Sequence, residues 1–175
     1  MDLNKSRFFL ALISESAGQT FQIGIKTGEV VKKGDFIALR GELGTGKTTL
    51  IQGIARGMGV SDDYSVVSPT FTIINEYPGK KLILYHVDVY RLSGSTDFLE
   101  TGFEKKDYEN GVTVVEWADK ILDIVPENAV FVTLQYIDEG KRKLYISTQD
   151  KNIFNRMTEW GFKIISKGEN RNRWP

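Results

Sequence analysis

The sequence predicts an α/β protein in which helices flank a mostly parallel central sheet, with an antiparallel hairpin added towards the C-terminus. Three observations predict this class. Short apolar runs of strand length alternate with stretches whose apolar residues recur at helical spacing. A glycine-rich turn joins the first well-defined strand to the helix that follows it. Two later strands each end at an acidic residue, as expected when a ligand lies off the carboxyl edge of a parallel sheet.

The glycine-rich turn fills every fixed position of the phosphate-loop (P-loop, or Walker A) pattern G-x-x-x-x-G-K-[ST], as Gly41-Glu42-Leu43-Gly44-Thr45-Gly46-Lys47-Thr48. Residues 35–39 before it have the pattern of a buried strand, and apolar residues between positions 50 and 58 recur at helical spacing after it. This order of strand, loop and helix is typical of a P-loop NTPase.

The residue types of the loop predict how it binds phosphate. Glycines let backbone N–H groups approach the phosphate oxygens. Lys47 is expected to neutralise the β- and γ-phosphates, and Thr48 to offer its hydroxyl to Mg²⁺. The predicted nucleotide-binding residues are Leu43, Gly44, Thr45, Gly46, Lys47, Thr48 and Thr49.

Two acidic residues are the remaining catalytic and metal-ligating candidates. Asp88 ends the apolar run 82–90, and Glu116 follows the strand predicted over 112–115. Both are expected to reach the phosphate loop and share the work of holding Mg²⁺ and orienting water. The alternatives are that Asp88 pairs with Arg91 or caps a turn, and that Glu116 opens the helix predicted over 118–122.

Three neighbours have more ambiguous patterns. Ser68 and Thr70 are candidates for a nucleotide switch, although an ordinary Ser-Pro strand entry fits their spacing equally well. Trp117 either shields the site or simply packs, and packing is the commoner role. The single histidine, His86, is assigned no chemistry.

The rest of the chain predicts the remaining elements. We expect an edge strand over 8–13, a helix beginning at Ser14 or Ser16 and ending at Gly28, a hairpin of 71–77 with 82–90, and a solvated turn or short helix over 105–111. A second hairpin is predicted from 129–136 and 141–147, whose basic tip, residues 141–143, either is solvated or meets phosphate or RNA.

A single domain, 1–175, is expected, with a C-terminal helix and loose basic tail over 149–175. The helix is indicated by Ile153, Phe154, Met157 and Trp160, and the tail covers 168–175.

Composition excludes several other classes. Basic and acidic residues balance at 23 each, and 41% of residues are hydrophobic, so nothing indicates general nucleic-acid or membrane binding. The absence of cysteine excludes disulfides, zinc-thiolate sites and thiol nucleophiles. No apolar window approaches the length of a membrane span, and a cytoplasmic protein is expected.

Four blocks together resemble the TsaE (YjeE) family: residues 41–49, 68–72, 85–92 and 114–117, with a weaker N-terminal match at Thr20, Ile23 and Gly24. The resemblance covers roughly residues 14–148. It implies a bacterial Mg²⁺-dependent ATPase needed for threonylcarbamoyladenosine formation beside the anticodon of tRNAs that read codons beginning with A. It also implies partners, a TsaD-like threonylcarbamoyl transferase and its TsaB-like paralogue, with tRNA met only through that complex.

By matching positions, the resemblance implies that Lys47 and its loop bind ATP, that Thr48 and Glu116 hold Mg²⁺, and that Asp88 supports the ion and hydrolysis. Trp117 matches a tryptophan beside the family's site. Glu42 stands where the family more often has aspartate, and the segment Ser16-Ala17-Gly18 lacks the usual acidic cluster. Two rival interpretations remain: a small-molecule kinase and a nucleotide-sensing assembly module.

Overall fold

The computed structural model describes residues 7–103, 105–158 and 164–170. The strands are β1 (Arg7–Ser14), β2 (Phe36–Arg40), β3 (Ile74–Pro78), β4 (Ile83–Asp88), β5 (Val112–Glu116), β6 (Val130–Asp138), β7 (Lys141–Thr148) and β8 (Ile164–Asn170). The helices are α1 (Ala17–Val30), α2 (Lys47–Gly57), α3 (Ser95–Leu99), α4 (Lys105–Asn110) and α5 (Lys151–Thr158), with a 3₁₀ turn at Ala118–Ile121.

All these strands join one mixed sheet in the order β3-β4-β5-β2-β6-β7-β1-β8. The central strands β4, β5, β2 and β6 are parallel, while antiparallel strands extend the sheet at both sides. The predicted α/β class, with a parallel centre and the β6–β7 hairpin, is therefore confirmed. Over the described residues, none of the helices combines the length and apolar character needed to cross a membrane.

The side chains that alternate along β2 show that the sheet has a hydrophobic core on each face. Ile37 and Leu39 face a cluster that contains residues of α1, α2 and α5, whereas Phe36 and Ala38 face a second cluster with α3 and the 3₁₀ turn. Successive side chains of a strand point to opposite faces, so a strand covered on both sides is apolar throughout. The loop between β2 and α2 is thus anchored by a strand that is buried on both faces.

Helices α1 and α2 touch through glycine. A Cβ added to Gly53 would lie 2.1 Å from the Phe21 carbonyl oxygen, and one added to Gly24 would lie 2.3 Å from the Leu50 carbonyl oxygen. Gly28 and Gly57 make equally close approaches one turn further along. The backbones therefore pack directly together. This packing explains why α1 runs through Gly24 and past its predicted end at Gly28 to Val30.

Several predicted boundaries were wrong. The strand predicted over 71–77 begins only at Ile74, the run 82–90 forms strand only over Ile83–Asp88, and the helix predicted over 118–122 is a single 3₁₀ turn. Between the two predicted helix starts, Ser16 is the N-cap, and its Oγ accepts the Gln19 backbone N–H at 3.1 Å. The short helix predicted within 105–111 is confirmed as α4.

The C-terminal region differs most from expectation. The predicted edge strand β1 is internal, because it pairs with β7 on one side and with β8 on the other. The predicted loose tail was therefore wrong over 168–170, which belong to β8, while residues 171–175 lie outside the described residues. Helix α5 is confirmed with Ile153 and Met157 buried; Trp160 lies outside the described residues.

Candidate functional site

The phosphate loop spans residues 41–46, between the end of β2 and the start of α2. Gly46 is the N-cap of α2 with φ 98°, and no side chain caps the helix there. Gly44 also has positive φ, at 79°. These angles favour glycine, and the first N–H groups of a helix have no partner within the helix. A helix N-terminus of this kind attracts anions, phosphate above all.

Lys47, the first residue of α2, is only 4% exposed. Its Nζ donates to the carbonyl oxygens of Gly41 at 2.7 Å and Glu42 at 3.0 Å, and lies 3.8 Å from the centroid of the Trp117 ring. The ammonium is therefore held inside the loop, where an incoming phosphate would meet it.

The charge of Lys47 is not fully compensated in this state. Burial lowers its pKa from the usual 10.5, and the nearby carboxylates of Glu116, Asp88 and Asp119 oppose that shift. Desolvation is the largest cause, and a negative charge placed beside Nζ would oppose it as these carboxylates do.

Asp88 and Glu116 lie side by side. They end the neighbouring parallel strands β4 and β5, where they are register partners, and they are 2% and 3% exposed. The predicted convergence of these carboxylates at the carboxyl edge of the sheet, beside the phosphate loop, is what the structure shows.

Glu116 links the phosphate loop to the sheet. The Thr48 hydroxyl donates to Glu116 Oε1 at 2.9 Å, and His86 Nε2 lies 3.0 Å from the same oxygen. The sequence assigned no chemistry to His86. The structure nevertheless places its imidazole against Glu116, a predicted catalytic residue.

Asp88 is bound by the segment that follows α2. Its Oδ2 accepts hydrogen bonds from the hydroxyls of Ser68 and Thr70, the latter at 2.8 Å. Its Oδ1 accepts the Tyr90 backbone N–H at 2.9 Å, so the turn-capping alternative also describes this residue. Arg91, the other partner considered, stacks its guanidinium 3.9 Å from the centroid of Phe71.

Strained backbone flanks both carboxylates. Trp117, directly after Glu116, has φ 60°, and Ile73, at the end of the Ser68 segment, has φ 67°. A β-branched residue with positive φ is a genuine outlier, and such strain concentrates at functional sites. No sequence pattern marked Ile73.

Arg142 was missed as a site residue. It lies in the β6–β7 hairpin, in the predicted basic tip. Its Nε donates to the Thr45 carbonyl oxygen at 3.1 Å, and its Nη1 donates to Gly140 at 2.7 Å. The tip is thus not only a solvated face, because one of its cations supports the phosphate loop.

A cleft of about 350 Å³ opens between these groups. Every predicted site residue except Thr45 lines it, and Tyr90, which was not predicted, lines it as well. Thr45 instead turns inward, where its hydroxyl donates to the Glu42 carbonyl oxygen at 2.9 Å.

The cleft fits a magnesium-bound nucleotide better than a bare metal ion. Within the described ranges, no group of three or more His, Cys, Asp or Glu residues is arranged to hold a metal by itself. Mg²⁺ in nucleotide sites takes one or two protein carboxylates, completing its shell with phosphate oxygens and water. Thr48, Glu116 and Asp88 are the oxygen-bearing side chains at this edge of the cleft that could hold such an ion, and Lys47 is the buried cation beside them.

Comparisons with known proteins show which family the chain belongs to. A protein-family model described as "Threonylcarbamoyl adenosine biosynthesis protein TsaE" matches residues 14–144. The "tRNA threonylcarbamoyladenosine biosynthesis protein TsaE" of Treponema pallidum is 36% identical over 135 residues, which cover 77% of this chain and 98% of the relative. The protein of the same name from Bacillus subtilis is 37% identical, over 72% of this chain and 77% of the relative.

A solved structure shares the fold. The crystal structure of Bacillus subtilis YdiB superposes with a TM-score of 0.70 at 30% sequence identity, and the match covers 87% of this chain and 93% of YdiB. The matched family region contains the phosphate loop, both carboxylates and Arg142. The chain therefore belongs to the TsaE family of threonylcarbamoyladenosine biosynthesis proteins.

Proposed function

We propose that this protein is a Mg²⁺-dependent ATPase that serves threonylcarbamoyladenosine modification of tRNA, at the adenosine beside the anticodon of tRNAs reading codons that begin with A. The observation that carries the proposal is the cleft in which a buried Lys47 ammonium faces two buried carboxylates at an uncapped helix N-terminus. Membership of the TsaE family indicates the pathway in which the ATPase would act. We also propose that the protein is cytoplasmic.

The residues divide the work as follows. The N–H groups of the loop and of α2 bind the phosphates, and Lys47 neutralises their charge. Thr48 and Glu116 would hold Mg²⁺, since the Thr48 hydroxyl can donate to Glu116 while its lone pairs remain available to the ion. When bound, the ion neutralises charge on the phosphate oxygens. Asp88 supports it and orients the attacking water.

The segment 68–72 responds to the state of the site. Ser68 and Thr70 both donate to Asp88 Oδ2, so Asp88 cannot turn that oxygen to water or metal without loosening them. Hydrolysis would then change the position of this segment and reset a partner complex. Trp117, stacked on Lys47, shields the site from solvent.

A partner surface adjoins the cleft. Leu43, in the phosphate loop, is 85% exposed, and Phe71, in the segment 68–72, is 80% exposed. Single exposed apolar side chains are ordinary on protein surfaces, so these two support a contact only through their place next to the cleft residues Gly44 and Thr70. We propose that a TsaD-like transferase and a TsaB-like paralogue bind there and stimulate hydrolysis, and that tRNA is met through them.

The test is phosphate release from ATP by the purified chain, alone and with a TsaB–TsaD pair. We expect Mg²⁺-dependent release that the pair stimulates. Glu116→Gln should reduce it by about 10²-fold or more, because the neutral amide cannot hold the ion or its water. Glu100→Gln, an exposed control, should retain the full rate.

Three results would contradict the proposal. A rate unchanged in Glu116→Gln would remove its catalytic part. Phosphate transfer to an added small-molecule acceptor would indicate a kinase. Full tRNA modification by a Glu116→Gln protein that binds ATP but does not hydrolyse it would indicate a nucleotide-sensing assembly module.

A further inference from the structure

We propose that His86 is a positioning residue that fixes Glu116 for magnesium, an inference that rests on the proposed ATPase function. His86 lies on β4, two residues before Asp88, and its side chain is fully buried. Its Nε2 lies 3.0 Å from Glu116 Oε1, on the adjacent strand β5. His86 reaches the site through Glu116 and is absent from the residues that line the cleft.

Packing alone does not account for an imidazole at this position. Its neighbours on the same face include Leu84 and Val114, both members of the apolar cluster under α1 and α2. His86 Nδ1 has no hydrogen-bond partner among the described residues, although it is buried. A buried polar atom without a partner is unfavourable, so an aliphatic residue would be the more stable choice for filling space. The hydrogen bond to Glu116 is the compensating contact.

That contact restricts how the Glu116 carboxylate can turn. An ionised carboxylate only accepts hydrogen bonds, so Nε2 carries the hydrogen and donates it. Oε1 then receives two donors, His86 Nε2 from the sheet and the Thr48 hydroxyl from α2 at 2.9 Å. Two donors from different elements set the plane of the carboxylate and leave Oε2 for the ion.

The two donors to Glu116 Oε1 differ in how they would respond to Mg²⁺. Once Mg²⁺ is bound, the Thr48 hydroxyl would be shared between Glu116 and the ion, because its oxygen is itself a candidate ligand. His86 lies below the site and keeps its bond in either state. Residues that orient a metal ligand in this way commonly change metal affinity or activity 10- to 100-fold when replaced, which is about the effect expected here.

The test compares His86→Gln with His86→Asn, amides that differ by one methylene. The Gln side-chain nitrogen can take the place of Nε2, whereas the Asn nitrogen stands nearer the backbone, at the place of Nδ1. Binding of a fluorescent ADP analogue is measured with and without Mg²⁺, together with chemical unfolding and the kcat and KM for ATP hydrolysis.

We expect binding without Mg²⁺ to stay within about threefold of wild type in both variants. The gain in affinity on adding Mg²⁺ should fall about tenfold or more in His86→Asn and should be largely retained in His86→Gln. The kcat should follow the same order. His86→Leu, which fills space without a donor, should behave like His86→Asn.

Two results would overturn the inference. One is a Mg²⁺ effect that is unchanged in His86→Asn. The other is an equal loss in both amide variants that parallels their loss of stability, which would indicate packing. A wild-type chain that binds ADP without any Mg²⁺ effect would instead contradict the proposed function, so the two failures are distinguishable.

Discussion

Ile73 holds a backbone conformation that isoleucine rarely adopts. Its φ is 67°, and two backbone hydrogen bonds keep it there: its N–H donates to the Pro69 carbonyl oxygen at 2.7 Å, and its carbonyl oxygen accepts the Asp88 N–H at 2.9 Å. The same residue therefore closes the segment that bonds to the Asp88 side chain. Such a conformation persists only where the surrounding structure holds it, here through these two hydrogen bonds.

A pair of substitutions isolates that strain. Ile73→Ala and Ile73→Gly remove the same side-chain packing, but only glycine relieves the left-handed conformation. We expect the glycine variant to unfold with a free energy about 1 kcal/mol higher than the alanine variant. Urea denaturation measures the difference, and an alanine variant of equal or greater stability would show that the backbone is unstrained.

Residue types predicted which side chains share the cleft better than they predicted which groups those side chains bond to. The phosphate loop and the acidic strand ends identified Lys47, Asp88 and Glu116, because the pattern and the edge rule for parallel sheets are local in sequence. His86 was dismissed because a lone histidine on an apolar strand carries no signal of its partner. Arg142 bonds to a residue 97 positions away, a relation that one sequence does not contain.

At the scale of elements, the pairing of α1 with α2 decides the position of the phosphate loop. Intrinsic propensity disfavours Gly24 and Gly28 within a helix, which is why the predicted helix ended too early. Tertiary packing outweighs that preference. Each glycine lets the opposite backbone approach to a distance that any side chain would block.

Two glycine-to-alanine substitutions, one at the contact between the helices and one away from it, test this close packing. Gly53→Ala should lower the free energy of unfolding by about 3 kcal/mol or more, because the added Cβ would lie 2.1 Å from the Phe21 carbonyl oxygen. Gly18→Ala, in the first turn of α1, meets only Ser16 Oγ at 3.7 Å. Its stability should be unchanged or raised by up to about 1 kcal/mol. Thermal and chemical unfolding of both variants are the measurement, and similar losses in the two would refute close backbone packing.

In the molecule as a whole, the C-terminal region completes the sheet beyond β1 and contributes no described residue to the lining of the cleft. Strand β8 covers β1, and α5 buries Ile153 and Met157. Arg156 bonds to both oxygens of Asp35, at 3.0 and 3.2 Å. The sequence predicted α5 from its apolar spacing. It did not predict β8, since Lys167, Gly168 and Glu169 lack the apolar alternation of a strand and depend on β1 for their conformation.

Deleting residues 150–175 should therefore separate stability from binding. We expect the free energy of unfolding to fall by about 3 kcal/mol or more through the loss of Ile153 and Met157, and the uncovered β1 to promote association. The affinity for Mg²⁺–ATP should stay within about threefold, because no described residue after 148 lines the cleft. Denaturation, light scattering and nucleotide titration test this, and a large loss of affinity in a folded deletion variant would contradict it.

The glycine contact between α1 and α2 also limits how α2 can move. Two helices joined backbone to backbone cannot slide or tilt independently, so α2, with Lys47 and Thr48 at its first turn, forms a fixed floor. The opposite wall, from Ser68 to the strained Ile73, bonds to Asp88 through the hydroxyls of Ser68 and Thr70 and through the Ile73 carbonyl oxygen. On the proposed function, we therefore expect a change of nucleotide to displace the segment 68–72 while α2 stays in place.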